Sequence, residues 1–471
     1  MFMSTVTALT DTRAKDITGK VVPMPAGSKH IISNTDLPYF MSKPDAFLVD
    51  IGKSILTGNV DANGNIADLP AIKIEDFYVV ADGTDSLPAL NRAMAYLDAG
   101  HGGIIDFPNA YYRFNGVIRP PYLDDPSYPK MKPLTFRGQG SHWNTGEQAA
   151  AAINGGTTFD IRGGTAYGKV QLRGLGVFTS TGITYTNLGT ADTYPIIYTT
   201  NTTLKLKGNA FIGHSSLSGI ACNQDAIVMG GTVATIGNAE TSAFQGYGTI
   251  IEGNYYNHIQ RAVYGRTYCN STIVRDNTIW LQCGSNLGGG AAIEFDGDPA
   301  LINFAVGNSL LNNLIEMFNY TYAIRMKVCS NSFISGNSGW DGSPQNLAVV
   351  YLENSSYQNT VLGAEGVPGK PYFLEGNPGA NGNTYIGCDT SAKNGQTFAG
   401  QQGTTVFTGP AAPWATTVAA LNAWTNTPLR GQAFATNGRK SAEAAGLGTG
   451  CPVWWDGTNW LTFYGNAAVT A

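Results

Sequence analysis

Three carboxylates crowd into AAIEFDGDPA, residues 291–300: Glu294, Asp296 and Asp298. Grouped this closely, they can do one of three things. One protonated and one ionised carboxyl make the acid–base pair that cleaves a glycosidic bond. Three together can take up a hard cation such as calcium. They can also pair with neighbouring cations as a solvated ladder whose individual links are weak. If 292–296 is a strand, Ile293 and Phe295 face one way and Glu294 and Asp296 the other, about 7 Å apart. That lies within the roughly 6.5–9.5 Å of an inverting pair. Gly297 then lets the chain bend and swing Asp298 toward them. Crowded like charges raise one pKa and so help to create the acid.

These residues need elements to position them. AVYGR (262–266), AIEFD (292–296), AIRMK (323–327) and AVVYLE (348–353) read as successive short strands. Taking Val263, Ile293, Ile324 and Val350 as equivalent gives steps of 30, 31 and 26 residues. That register sets Glu294 between Tyr264 and Arg325, and Asp296 between Arg266 and Lys327. Tyr351 follows Arg325 and Glu353 follows Lys327. A second motif recurs between the strands, placing Asn209, Asn238, Asn254, Asn277, Asn308 and Asn337 at turns. A repeat of this size cannot bury its own apolar side, and stacking solves that. Stacked turns about 4.8 Å apart also let Asn side chains hydrogen-bond to their copies above and below.

Composition agrees with an elongated repetitive fold. Charged residues are only 13% of 471, glycine is abundant at 59, and hydrophobic content is an ordinary 43%. The six cysteines form no C-x-x-C pair, which favours free buried thiols over zinc or a disulfide frame. A net charge of -5 and the lack of a Lys/Arg cluster argue against nucleic acid. No apolar run of about 18 residues offers a membrane span, and MFMSTVTALTDTRAKD has no basic head and apolar block for export, so folding in a cytoplasm is expected.

Residues 1–72 read as a small irregular module. In 74–108, Ser86 is placed to cap a helix with Leu90, Ala93, Met94 and Leu97 on one face, and Gly100, Gly102 and Gly103 end it before the strand IIDFP. After 398 the composition changes: GCPVWWDGTNWLTFYGN reads as a hairpin turning at Asp456-Gly457, within a C-terminal β module, 399–471.

The stretch Asp76–Phe107, with its DGTD turn, short helix, Gly-Gly, strand, Pro108 and Tyr111-Tyr112, resembles the opening of the pectate-lyase-like superfamily. It departs from the usual pattern at DSLPAL, where a second acidic residue and a Gln are common. The tail Leu429–Ala471 resembles C-terminal segments of bacteriophage tail proteins. Together these resemblances imply a right-handed parallel β-helix over 73–398 whose first coil the helix caps. They also imply a phage tailspike on the virion, made in the host cytoplasm, homotrimeric, attached to a tail or baseplate protein through 1–72. Its partner would be a bacterial surface polysaccharide, with no nucleic acid, no membrane insertion and no cofactor.

The leading expectation is an endo-acting glycoside hydrolase with Glu294 and Asp296 as acid and base and Asp298 assisting. Arg266, Arg325 and Lys327 would hold the glycan's acidic groups, and Tyr264 and Tyr351 would stack on pyranose faces. The DGD spacing lacks the other ligands of a calcium loop, so no metal is expected. A lyase, with Tyr264, Arg325 and Lys327 abstracting a proton beside a uronic carboxylate, is the nearest rival. A non-catalytic receptor-binding fibre is another. Glu252 and Asp276 with Arg275 form a second acidic row. His258 reads as a structural turn residue, and Glu316, Trp340 and Asp341 are reserve candidates.

Overall fold

The computed structural model describes residues 4–8, 12–15, 21–24, 29–32, 47–50, 71–77, 84–99, 102–121, 123, 132–141, 156–187, 193–213, 224–230, 248–266, 269–280, 290–297, 305–317, 320–340, 346–353, 356–363, 372–375, 383–386, 405–407, 415–422, 432–440, 442–463 and 467–470. Three long sheets, one of twelve strands and two of eight, run through its middle, and every neighbouring pair in them is parallel. The chain visits them in turn: Ile250–Glu252 in the first, Tyr255–Asn257 in the second, Val263–Gly265 in the third, then Ile273–Arg275 back in the first. This is a parallel β-helix, wound in the right-handed sense that parallel crossovers take. The twelve-stranded sheet extends from Ala71–Lys73 to Thr405–Phe407.

The core fills the coil. Ile251, Val274, Leu310, Ile334 and Val361 point inward from the first sheet, and Val263, Ile293, Ile324 and Val350 from the third, all at zero exposure. Each such side chain contributes about 1.5–3 kcal/mol of burial. On the second sheet Tyr185, Phe211 and Tyr256 stack in register, their ring centroids 5.3 and 5.1 Å apart.

The corner between the first two sheets is held by an amide ladder. The Nδ2 of Asn209 donates to Asn254 Oδ1 at 3.2 Å, Asn254 to Asn277 at 3.1 Å, Asn277 to Asn313 at 2.9 Å and Asn313 to Asn337 at 2.8 Å. Asn308 is not part of it. It sits at the corner between the third and first sheets, where its Oδ1 accepts the Thr272 N–H and its Nδ2 donates to the Cys269 carbonyl. Ser332, Asn359 and Asn383 continue that second ladder. A Gly-Asn pair fits both corners, at Gly208-Asn209 and at Gly307-Asn308, so the two ladders look alike in sequence; Asn277 and Asn313 follow Asp276 and Asn312 instead of glycine. Asn238 lies outside the described residues.

Leu87–Ala99 is the helix expected at the first coil, and Leu90, Ala93, Met94 and Leu97 are buried. Its start differs from expectation. Asp85 Oδ1 accepts the Leu87 N–H at 3.1 Å and the Asn115 N–H at 3.0 Å, while the Ser86 hydroxyl is buried without a partner. Asp85 wins because it also ties the helix to the neighbouring coil. At the other end Gly102, with φ of 84°, donates to the Leu97 carbonyl.

Near the N-terminus Ser4–Ala8 pairs antiparallel with Lys29–Ile32 and Phe47–Asp50. Near the C-terminus Ala415–Thr416, Gln432–Ala435, Cys451–Trp455 and Trp460–Thr462 form a four-stranded sheet. Trp455 faces Trp460 across a hairpin whose turn is four residues long, with Asp456 Oδ1 accepting the N–H groups of Thr458 and Asn459. Cys269, Cys329 and Cys451 are free and buried; the other three cysteines lie outside the described residues. No helix among the described residues is long and apolar enough to cross a membrane.

Candidate functional site

The third sheet carries the acidic strand. Val263 pairs with Ile293, Ile293 with Ile324 and Ile324 with Val350, the register read from the repeats. Glu294 therefore lies between Tyr264 and Arg325, and Tyr351 follows Arg325. Ile293 and Phe295 are buried in the core, which turns Glu294 and Asp296 outward. Strict alternation ends at the N-terminal side of the strand. Ala292 packs inward beside Ile293, and Ala291 joins Tyr322 and Ala348 in a small separate apolar cluster that Tyr351 borders. Tyr322 and Tyr351 stack at 4.4 Å with an interplanar angle of 17°.

Although outward, Glu294 is only 5% exposed. Its Oε1 lies 3.3 Å from Arg325 Nη1 and its Oε2 lies 3.6 Å from Arg261 Nη1. Arg261 is itself held by Asp225 through two hydrogen bonds of 2.9 and 2.8 Å. Its guanidinium lies 3.6 Å from the centre of the Tyr264 ring. On the far side, Arg325 Nε donates to Glu353 at 2.7 Å, and a second nitrogen reaches the same oxygen. Asp225, Arg261, Glu294, Arg325 and Glu353 thus form one row of alternating charge, and Lys327 pairs with Asp296 at 3.2 Å. Glu353 reaches back to Arg325 instead of sitting over Lys327.

Burial pushes the Glu294 carboxyl above the ordinary carboxylate value; the two guanidiniums pull it back and the Asp296 charge adds to the rise. Burial likewise raises the Tyr264 phenol, and Arg261 partly opposes the shift. Tyr322 is pushed up to about 12, by burial first and then by Tyr351. These rings stay neutral near neutral pH and serve as apolar faces.

Arg266 lies one residue beyond the strand Val263–Gly265, with its guanidinium 5.1 Å from the Tyr264 ring centre. Asp298 and Asp341 lie outside the described residues. Among the described residues no three of His, Cys, Asp and Glu gather as a metal site would require. The second acidic row sits on the twelve-stranded sheet, where Glu252 pairs with Lys207 at 3.2 Å and Arg275 at 2.7 Å. His258 ends the strand Tyr255–Asn257, buried, with φ of 53°.

No family model and no curated sequence matches the chain. It is similar in structure to the catalytic unit of a GH87 alpha-1,3-glucanase from Streptomyces thermodiastaticus strain HF3-3, at 10% identity and TM-score 0.43, over 87% of this chain and 84% of that one. It is similar to a DFA-IIIase mutant from Arthrobacter chlorophenolicus A6, at 11% identity and TM-score 0.41, over 72% and 99%. It is also similar to a tailspike protein mutant of E. coli bacteriophage HK620 in complex with a pentasaccharide, at 13% identity and TM-score 0.40, over 79% and 77%. With values this low, the fold rests on the strand pairing above and the chemistry on the residues themselves.

Sequence reasoning missed Arg261 and Asp225. Arg261 stands two residues before Val263, so the repeat register could have placed it beside the Glu294 row. Asp225 stands two residues before Ile227, the partner of Val263, as Arg261 stands before Val263, so the same register extended one coil back reaches it.

Proposed function

We propose that this chain binds a polysaccharide along the outer face of the third sheet and cleaves it by hydrolysis, with Glu294 as general acid and Asp296 as general base. The observation that carries the reading is the state of Glu294. It is a carboxyl on the outer face, nearly buried, whose proton affinity is raised, two residues from the partly exposed Asp296 on the same strand. Carboxyls so spaced stand about 7 Å apart, enough for a water molecule on the far side of the sugar. Tyr264 and the Tyr322–Tyr351 pair offer apolar faces to pyranose rings. Asp298, two residues after Asp296 in the sequence, would assist, and Arg266 would hold an acidic group of the glycan.

Hydrolysis is preferred to β-elimination for two reasons. The raised phenol of Tyr264 makes it a poor proton acceptor, and Arg325 and Lys327 already pair with Glu353 and Asp296 instead of awaiting a uronic carboxylate. The tail-protein resemblance of 429–471 supports a homotrimeric phage tailspike, attached through 1–72 and acting on capsule or O-antigen. The test is incubation of the protein with purified capsular and O-antigen polysaccharides. New reducing ends without new ultraviolet absorbance support hydrolysis. An unsaturated product sinks it in favour of a lyase, and binding without any cleavage leaves a receptor-binding fibre.

A further inference from the structure

Arg261 and Arg325 flank Glu294 from the coils on either side, and both are turned the same way. Arg261 gives its Nε and Nη2 to the two oxygens of Asp225, at 2.9 and 2.8 Å. Only Nη1 remains for Glu294, 3.6 Å from its Oε2 and beyond hydrogen-bonding distance. The Tyr264 ring, 3.6 Å from the guanidinium, holds that plane in place. Arg325 repeats the arrangement on the far side: Nε donates to Glu353 Oε2 at 2.7 Å, Nη2 reaches the same oxygen, and Nη1 lies 3.3 Å from Glu294 Oε1. The two-pronged edge of each guanidinium, its strongest hydrogen-bonding face, is thus taken by an outer carboxylate.

Among the described residues, two guanidiniums therefore meet three carboxyl groups in this row, and it is neutral only when one carboxyl holds a proton. Geometry chooses which. Asp225 and Glu353 each accept two hydrogen bonds from one arginine, whereas Glu294 accepts a single one at 3.3 Å. Its side chain is also the least exposed of the three, at 6% against 11% and 21%. The carboxyl with the fewest donors and the least water takes the proton. No other nearby cation corrects the balance: Lys327 pairs with Asp296 at 3.2 Å, and Arg266 lies against the Tyr264 ring. The Asp296 charge adds to the pressure on Glu294. Burial alone is not distinctive, since Glu316 on the second sheet is buried between Trp280 and Trp340, whose ring centroids are 5.1 Å apart. The arrangement of charges is.

We infer that Asp225 and Glu353 are positioning residues that hold Arg261 and Arg325 back from full contact with Glu294, so that Glu294 keeps the proton it donates. The inference rests on the hydrolytic reading above. Each outer carboxylate acts through an arginine. In turnover the Glu294 proton passes to the leaving glycosidic oxygen as its bond to the sugar carbon breaks, and Asp296 takes a proton from the attacking water. The row is then one negative charge in excess, which draws a proton back to Glu294 from solvent. Loss of either outer carboxylate removes a negative charge and frees the two-pronged edge of an arginine to turn to Glu294. Both changes favour the ionised form and disarm the acid.

The experiment compares the full chain with Asp225→Asn and Glu353→Gln, both of which keep the side-chain shape, in pH–rate profiles on a purified polysaccharide that the wild type cleaves. The readout is where turnover declines with rising pH, not the height of the plateau. A shift of that limb to lower pH by about one unit or more in each variant supports the inference. Lower turnover at every pH with the limb unmoved overturns it. Glu353, the more exposed of the two, decides if Asp225→Asn does not fold. A second measurement needs no substrate: the difference in denaturation stability between each protein and its Glu294→Gln counterpart, followed against pH. In the wild type that difference falls until the raised pKa of Glu294 is passed, and in Asp225→Asn or Glu353→Gln the fall should end at lower pH. A fall that ends at the same pH overturns the inference. Wild-type protein that cleaves no polysaccharide sinks the hydrolytic reading instead, and the stability measurement still decides where the proton sits.

Discussion

Glu294 carries opposite demands. Two guanidiniums favour its charged form, while burial favours the neutral one, and burial prevails. If it is the general acid, turnover should decline as pH rises through its raised pKa, and Glu294→Gln should abolish that limb of the pH–rate profile. The same substitution should lower kcat at least a hundredfold with little change in glycan affinity. The stability consequence has a definite sign. Between the ordinary carboxylate value and the raised one, the folded protein holds a proton that the unfolded chain has lost, so this group's contribution to stability falls as pH rises across that window. Thermal unfolding of wild type and Glu294→Gln over that range measures it. Arg261→Ala is a harsher change. It strands Asp225 and Glu294 with low exposure and one cation fewer, and should cost about 3–5 kcal/mol in chemical denaturation.

At the scale of elements, the amide ladders do what a loop would otherwise need water to do. Asn277 illustrates it: its Oδ1 accepts the Asn254 N–H at 3.0 Å, and its Nδ2 donates to the Ile251 carbonyl at 3.0 Å. Asn277→Ala leaves both buried backbone groups unpaired, with an expected loss of about 2–5 kcal/mol. Asn277→Asp keeps the acceptor alone, removes the side-chain bonds to Asn313 and the Ile251 carbonyl and places a charge in the corner, so it should be no better tolerated. Denaturant midpoints for the two variants check this, and a loss under 0.5 kcal/mol for alanine would mean the ladder is not a stability element. The strand register was legible because Val263, Ile293, Ile324 and Val350 stand at nearly equal steps between similar flanks. The ladder membership of Asn308 was not, because two corners of the coil impose the same backbone need and accept the same Gly-Asn pair.

For the whole molecule, the coil gives one continuous core with ends that differ from its middle, as stacked repeats require. The resemblance-based expectation of a homotrimer belongs at this scale. Light scattering in dilute solution should give three times the chain mass of 49.8 kDa, and a stable monomer would remove the tailspike assignment's strongest structural corollary.

Residue pattern alone determined the stacked repeats, the helix and the alignment of Tyr264, Glu294, Arg325 and Tyr351, because each follows from local periodicity and nearly equal repeat lengths; that the helix caps a right-handed coil came from the resemblance. The register also set Glu294 beside Arg325 and Asp296 beside Lys327, and both pairs form; only the tertiary structure decided the further partners of these charges. Arg261 reaches diagonally to Glu294 and Glu353 turns back to Arg325, since long side chains choose among the neighbours that the register offers by their rotamers. It also decided that Trp280 and Trp340 close over Glu316. Those three residues are 60 positions apart end to end, and only the winding of the chain brings them to one face.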